Sequence, residues 1–403
     1  MQSQLEYNYN QLNEVYTTLK VVKYSSVMTD TQNTNELPEA PFREAGGLDA
    51  LVRENIKSLK PYSSARHEFE GKASVYLDAN ENAFGSPDAA VAGTMSTAYN
   101  RYPDPLQWQL KFQLARIKGV PAENIFIGNG SDEVIDLAYR IFCNPGVDNV
   151  IICPPTYGMY EVSGNINDVN IKKVSLTQDF QLDVEGILKA VDANSKLLFI
   201  CSPNNPTGNN MNRQDIELLL NNFPGIVIID EAYINYSNQK TFIQELTEYP
   251  NLIVMQTLSK AWGLAALRLG LCYASLDIIN LFNKVKPPYN INLASQELGL
   301  KALQHTDQVN DWIKTSVAQR ELVKQELTTF SFVKNVYQSE ANFLLMKVKD
   351  ADALYQYLAS NEVVVRNRSR EPMCEGCLRV TIGTPEENKQ LIQLLKQYNE
   401  PTA

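Results

Sequence analysis

The sequence predicts an α/β fold: a mostly parallel central sheet covered by helices on both faces, with a smaller α+β region toward the C-terminus. Three observations lead there. Short apolar runs (N-I-F-I-G, N-V-I-I-C, K-L-L-F-I-C, G-I-V-I-I-D, N-L-I-V-M-Q-T and L-G-L-C-Y-A) recur between residues 124 and 274. They are near-continuous rather than alternating, as strands buried on both faces are. Helical patterns such as D-E-V-I-D-L-A-Y-R-I-F and R-Q-D-I-E-L-L-L-N-N-F separate some of them, and that alternation marks a sheet wrapped by helices. From about residue 290 the pattern changes to long helices and then to shorter strands, F-L-L-M-K-V, E-V-V-V-R and C-L-R-V-T-I.

In chain order, residues 1–46 are rich in Gln, Asn, Tyr and Thr and read as a flexible N-terminal extension, with a short weak helix near 11–23 as the alternative. Leu48, Leu51, Val52, Ile56 and Leu59 have helical spacing and predict one amphipathic helix ending before Pro61. A chain of 403 residues is too long for one small core and suits two sub-domains. The net charge of −10, without a basic stripe, argues against nucleic acid as the main partner. No apolar run approaches the ~20 residues of a membrane span. The opening M-Q-S-Q-L-E-Y-N-Y-N lacks the basic and apolar regions of a signal peptide, so a cytoplasmic location is expected.

Of six cysteines, Cys143, Cys153, Cys201 and Cys272 lie in apolar stretches and read as small core residues. Cys374 and Cys377 have the spacing of a metal or redox motif. A zinc site needs about four ligands, however, and His67 and His305 stand far off in sequence, so loop thiols and no metal are expected.

The chemistry concentrates around Lys260, in T-L-S-K-A-W-G-L-A-A-L-R-L-G, thirty residues after Asp230 ends the run G-I-V-I-I-D. A lysine can form a Schiff base with the aldehyde of pyridoxal phosphate, and an aspartate can keep the pyridine nitrogen protonated. Thr257, Ser259 and Arg268 flank the lysine with groups that suit a phosphate. I-F-I-G-N-G-S-D-E places a Gly-rich turn between a strand and a helix. There Gly128, Gly130, Ser131 and Asp132 form an anion cradle, or an ordinary turn with Ser131 or Asp132 as the helix cap. Asn205, in S-P-N-N-P-T-G, stands in a loop following a strand, where an α/β sheet binds ligands. Its amide and the Tyr233 hydroxyl suit the cofactor's phenolic oxygen. A lysine beside the ring cation and Arg268 is expected to have a lowered pKa, as a general base needs.

The segments G-N-G-S-D-E, P-P-T-Y-G-M-Y, S-P-N-N-P-T-G, V-I-I-D-E-A-Y and T-L-S-K-A-W-G-L-A-A-L-R-L-G stand in the order seen in aminotransferases of PLP fold type I, which the chain resembles from about residue 48 onward. L-D-A-N-E-N-A-F-G, Y-N-R-Y-P-D-P and C-L-R-V-T-I-G-T look like the histidinol-phosphate aminotransferases among them, with Ala and Phe in the first where Pro and Tyr are expected. The resemblance implies an N-terminal arm over 47–75, a large cofactor-binding domain over 76–288 and a small domain over 289–403. It implies that Tyr157 stacks on the cofactor ring and that Tyr102 reaches the cofactor phosphate of the partner subunit in a homodimer. It further implies that Arg379 holds the substrate carboxylate, while Arg366 and Tyr62 grip the phosphate of histidinol phosphate and Asn82 belongs to the substrate site. The implied reaction transfers the amino group of L-histidinol phosphate to 2-oxoglutarate in histidine biosynthesis. Threonine-phosphate decarboxylase and a broad-range aromatic aminotransferase share the cofactor residues and are the alternatives. A cofactor-sensing transcriptional regulator is disfavoured, since residues 1–46 hold only Lys20, Lys23 and Arg43 as basic residues.

Overall fold

The computed structural model of the chain describes residues 41–44, 46–59 and 99–398. Its larger sheet comprises β1 (Ile125–Asn129), β2 (Asn149–Ile152), β3 (Asn170–Lys173), β4 (Ser195–Cys201), β5 (Ile226–Asp230), β6 (Leu252–Thr257) and β7 (Leu269–Ala274). The spatial order is β1-β7-β6-β5-β4-β2-β3. Strands β2 to β6 run parallel, and β7 alone opposes its neighbours β1 and β6.

The unbroken apolar runs follow from burial on both faces. In β5, Val227 and Ile229 join one core with Leu198, Ile200 and Val254, while Ile226 and Ile228 join another with Leu197, Phe199 and Ile253. The helices Trp108–Lys118, Val184–Ala190 and Arg213–Asn222 cover the first face through Leu110, Leu114, Ile187, Ile216 and Leu219. The helices Ser131–Phe142, Met159–Ile166 and Leu276–Val285 cover the second through Val134, Ile135, Tyr160, Ile278 and Phe282. Burying each such side chain stabilises the fold by about 1.5–3 kcal/mol. Strand β3, N-I-K-K, has no apolar run to announce it, because it is a half-exposed edge.

A second, antiparallel sheet contains β8 (Val333–Val336), β9 (Phe343–Val348), β10 (Arg366–Asn367) and β11 (Cys377–Thr381), in the order β10-β11-β9-β8. One face buries Leu344, Met346, Leu378 and Val380 against the helices Thr306–Leu327, Ala351–Ser360 and Pro385–Gln397. The other face carries Phe343, Leu345 and Arg379.

Three expectations need correcting. The helix over 48–59 is two short ones, Gly47–Leu51 and Glu54–Lys57. Between them Val52 and Arg53 are extended, and Arg53 donates its N–H to Ile141 O and its guanidinium to Arg140 O, satisfying the end of the helix Ser131–Phe142 instead of its own turn. The run E-V-V-V-R pairs as a strand only at Arg366. Its first half closes the preceding helix, with Glu362 at φ 63° and Val363 N–H donating to Leu358 O. Of the two expected loop thiols, Cys374 does stand in a loop but Cys377 begins β11, and both are buried, packing on Leu345 and Tyr337.

Candidate active site

The polar residues singled out by sequence gather at one edge of the larger sheet. Strands β1, β4, β5 and β6 all deliver their carboxyl ends there, into Gly130, the loop 202–208, Asp230 and Lys260, and antiparallel β7 begins there just after Arg268. Ligands of open α/β sheets bind outside such an edge.

The turn after β1 is built for close approach. Gly130 adopts φ 79°, ψ 165°, a conformation essentially confined to glycine. A Cβ there would collide with the Arg268 guanidinium, and one on Gly270 would collide with the backbone of Gly130 and Ser131. The helix starts at Ser131 with Gly130 as its cap residue and no side-chain cap. The alternative of Ser131 or Asp132 as the cap is therefore corrected, and the first helical N–H groups point outward with the positive end of the helix dipole. Arg268 leans over this end, its Nη2 3.1 Å from Asp132 Oδ2, while Gly130 N–H donates to Arg268 O at 2.8 Å. Ser131 Oγ donates to Gln256 O at 3.4 Å, and Ser259 N–H donates to Thr257 Oγ1 at 3.1 Å.

Beside this turn lies Asp230, 4% exposed. Its Oδ2 accepts the Tyr160 hydroxyl at 2.7 Å and its Oδ1 the Ala232 N–H at 3.0 Å. Burial pushes its pKa up, against the lowering by those two bonds and by the Lys260 charge. Tyr160 stacks on Phe199 with centroids 4.6 Å apart and meets Tyr157 edge-on at 5.6 Å. The Tyr157 hydroxyl donates to Asp132 Oδ1 at 3.1 Å. Lys260 is exposed as a residue, yet its Nζ lies 5.8 Å from the Tyr233 ring centroid and is partly desolvated. That desolvation, then the charges of Arg379 and Arg268, lower its pKa, against the attraction of Asp230 and Asp132.

The second sheet supplies the opposite side. Arg379 Nη1 donates to Asn205 Oδ1 at 2.5 Å, and its guanidinium lies 5.1 Å from the Phe343 ring, which in turn meets buried Tyr233 edge-on at 5.1 Å. With Asn205 Oδ1 engaged, its amide N–H groups are free to be presented to a ligand. The loop 202–208 is held by Asn204, which donates to Pro155 O at 2.9 Å and Thr207 Oγ1 at 2.7 Å, and by Glu340 N–H donating to Gly208 O at 2.7 Å.

Thus Gly128, Gly130, Ser131, Asp132, Tyr157, Asn205, Asp230, Tyr233, Thr257, Ser259, Lys260, Arg268 and Arg379 converge. Arg366 lies directly across from Arg379 in the β10–β11 pair and is exposed. Tyr102 is 51% exposed and stacked on Tyr289 at 4.5 Å. Tyr62 and Asn82 lie outside the described residues. Sequence reasoning missed Tyr160 and Phe343. Tyr160 stood in the quoted P-P-T-Y-G-M-Y segment, and the only hint was that a buried tyrosine hydroxyl needs a partner; Phe343 gave no signal beyond its apolar run.

The family described as aminotransferase class I and II matches residues 73–395. A histidinol-phosphate aminotransferase of Cytophaga hutchinsonii is 50% identical over 354 residues, covering 88% of this chain and all of that protein, and one of Parabacteroides distasonis is 51% identical over 349 residues, covering 87% and 98%. The fold matches the crystal structure of histidinol-phosphate aminotransferase from Sinorhizobium meliloti in complex with pyridoxal-5'-phosphate at a TM-score of 0.69 and 21% identity, over 92% of this chain and 99% of that one. With the sheet order, the Gly130 turn and the Asp230–Lys260 pair in place, the chain belongs to the class I and II aminotransferases.

Proposed function

We propose that this chain transfers the amino group of L-histidinol phosphate to 2-oxoglutarate, using pyridoxal phosphate. The observation that carries this reading is the convergence, at one sheet edge, of an uncapped helix start, a buried carboxylate and a lysine with lowered pKa, faced by arginines of the second sheet. Relatives at about half identity over nearly their whole length are histidinol-phosphate aminotransferases, which supports the donor.

The residues fit the cofactor. Ser131, Asp132, Thr257, Ser259 and Arg268 surround the helix start that would hold its phosphate, and the missing Cβ atoms of Gly130 and Gly270 let Arg268 and β7 pack directly against that turn. Asp230, a carboxyl whose burial calls for a cationic partner, suits a protonated pyridine nitrogen, and Tyr157 stands beside it for the ring face. When bound, pyridoxal phosphate supplies an electron sink for the charge left at the donor's Cα. Lys260 Nζ accepts the donor's Cα proton, a role that the lowering of its pKa by desolvation and by Arg379 favours. Asn205 and Tyr233 present hydrogen-bond donors to the phenolic oxygen, and Arg379, steadied by Asn205 and Phe343, holds a carboxylate. Arg366 and, outside the described residues, Tyr62 and Asn82 complete the donor site. The reading also includes a homodimer in which Tyr102 serves the partner subunit's cofactor phosphate, a cytoplasmic location, and domains divided at 288/289. Among the described residues no helix is long and apolar enough to cross a membrane.

The test is a donor comparison. L-histidinol phosphate is expected to exceed unphosphorylated L-histidinol in kcat/KM on the order of 10²-fold or more, the worth of a charge-assisted anion clamp. Equal use of both donors, or of aromatic amino acids, removes histidinol phosphate as the substrate.

A further inference from the structure

Arg366, Arg368 and Arg379 share one face of the second sheet, and the reading so far gives a task to only the first and last. In the β10–β11 pair Arg366 stands opposite Arg379, and directly opposed residues share a face. Arg368 keeps that register, its N–H donating to Cys377 O at 2.9 Å, so strand alternation returns its side chain to the same face. This is the face of Phe343 and Leu345, turned toward Tyr233 and Asn205, and the opposite face is the apolar core.

The polar groups on it are incompletely matched. Arg368 and Arg379 are both half-buried, and the Nε–H of each is buried without an acceptor, as is the Ser369 hydroxyl next to Arg368. Arg368 Nη1 meets Glu371 Oε1 at 3.2 Å, which anchors one corner of the guanidinium, while its buried Nε–H stays without an acceptor. Buried donors without acceptors are costly, and like charges on one face repel unless an anion comes between them. Arg379 feels both neighbours: burial, then the charges of Arg368 and Arg366, hold its pKa below the ordinary value.

Resting on the function proposed above, we propose that Arg368 is a further substrate-binding residue, gripping the donor's phosphate together with Arg366 while Arg379 holds the carboxylate of the amino acceptor. A phosphate monoester carries about −1.5 to −2 charge near neutral pH and three acceptor oxygens. One exposed guanidinium neutralises and satisfies only part of that group, whereas two forks approaching from one sheet face match it and favour it over a singly charged carboxylate. The Arg368 guanidinium, with a buried Nε–H that still lacks an acceptor, is thereby a specificity element for phosphorylated donors.

The experiment uses the cofactor-loaded enzyme with Arg368→Gln and Arg368→Lys. Steady-state kinetics give KM for L-histidinol phosphate and for 2-oxoglutarate, melting curves confirm folding, and calorimetry follows binding of inorganic phosphate. Arg368→Gln is expected to raise the KM for histidinol phosphate about 10- to 100-fold, the worth of a hydrogen bond to a charged group. It should weaken phosphate binding alike and raise the KM for 2-oxoglutarate less than about threefold, with Arg368→Lys recovering part of the loss. Equal losses for both substrates, or an unchanged donor KM, overturn the proposal. Should the wild-type enzyme not turn over histidinol phosphate at all, the functional reading fails instead. Phosphate calorimetry then decides on Arg368 by itself, since equal affinities of wild type and Arg368→Gln, or no binding by the wild type, overturn its role.

Discussion

Lys260 is asked to be both exposed to the cleft and short of its proton, and its neighbours make that possible. Partial desolvation and the positive charges of Arg379 and Arg268 favour the neutral amine, while Asp230 and Asp132 pull the other way. The net direction is downward from the ordinary 10.5, so the neutral fraction rises with pH through a midpoint below that value. Competitive acetylation of the cofactor-free protein, read at Lys260 by mass spectrometry across a pH series, should show this midpoint. Arg379→Gln removes one of the lowering charges and should move the midpoint to higher pH; a midpoint that stays put shows that Arg379 does not act on the lysine. At the same scale Asp230, Tyr160 and Phe199 form a buried stack that fixes the carboxyl's direction before any ligand arrives.

Among the elements, the turn from β1 into the helix Ser131–Phe142 is the most constrained. Gly130→Ala adds a Cβ where the Arg268 guanidinium stands and forces a glycine-only backbone region. A loss of about 1–3 kcal/mol in unfolding free energy is expected by urea titration, together with at least about tenfold weaker pyridoxal phosphate binding by fluorescence titration. Unchanged cofactor affinity would mean that this turn is not the cradle. Much of this architecture is legible in the sequence, for physical reasons. Doubly buried strands such as I-V-I-I-D must be apolar throughout, so β1, β2 and β4 to β7 announce themselves, and the residues at their carboxyl ends become candidates by position. Where pairing or capping decides instead of burial, the sequence is silent. Polar β3 hides at an edge, Val52–Arg53 breaks a helix to cap another, and Glu362–Val363 of the run before Arg366 is spent on a helix end. The grouping of Arg366, Arg368 and Arg379 depends on antiparallel register across ten or more intervening residues, which periodicity alone does not specify.

At the scale of the whole molecule, the site is made by two sheets that each finish half of it. The larger sheet supplies Gly130, Asp230 and Lys260; the second supplies Arg379 and Phe343; and the loop 202–208 is tied to the first through Ser202–Asp230 and to the second through Asn205–Arg379. Tyr102 is exposed and stacks on Tyr289, and the adjoining Asn290 donates to Ile127 O and Glu133 Oε2 close to the Gly130 turn. If it serves a partner subunit, mixing Tyr102→Ala chains with Lys260→Ala chains should create hybrid dimers with one intact site and recover activity that neither variant shows alone. No recovery, with hybrids confirmed by native mass spectrometry, would place Tyr102 outside the partner's site. The central claim is the transfer itself, and it is tested most directly by incubating the cofactor-loaded enzyme with amino-¹⁵N-labelled L-histidinol phosphate and 2-oxoglutarate. The account predicts ¹⁵N in glutamate in equal amount to the 2-oxo phosphate product. Label remaining in unreacted donor, with threonine phosphate releasing carbon dioxide under the same conditions, would contradict it and make the chain a decarboxylase on the same fold.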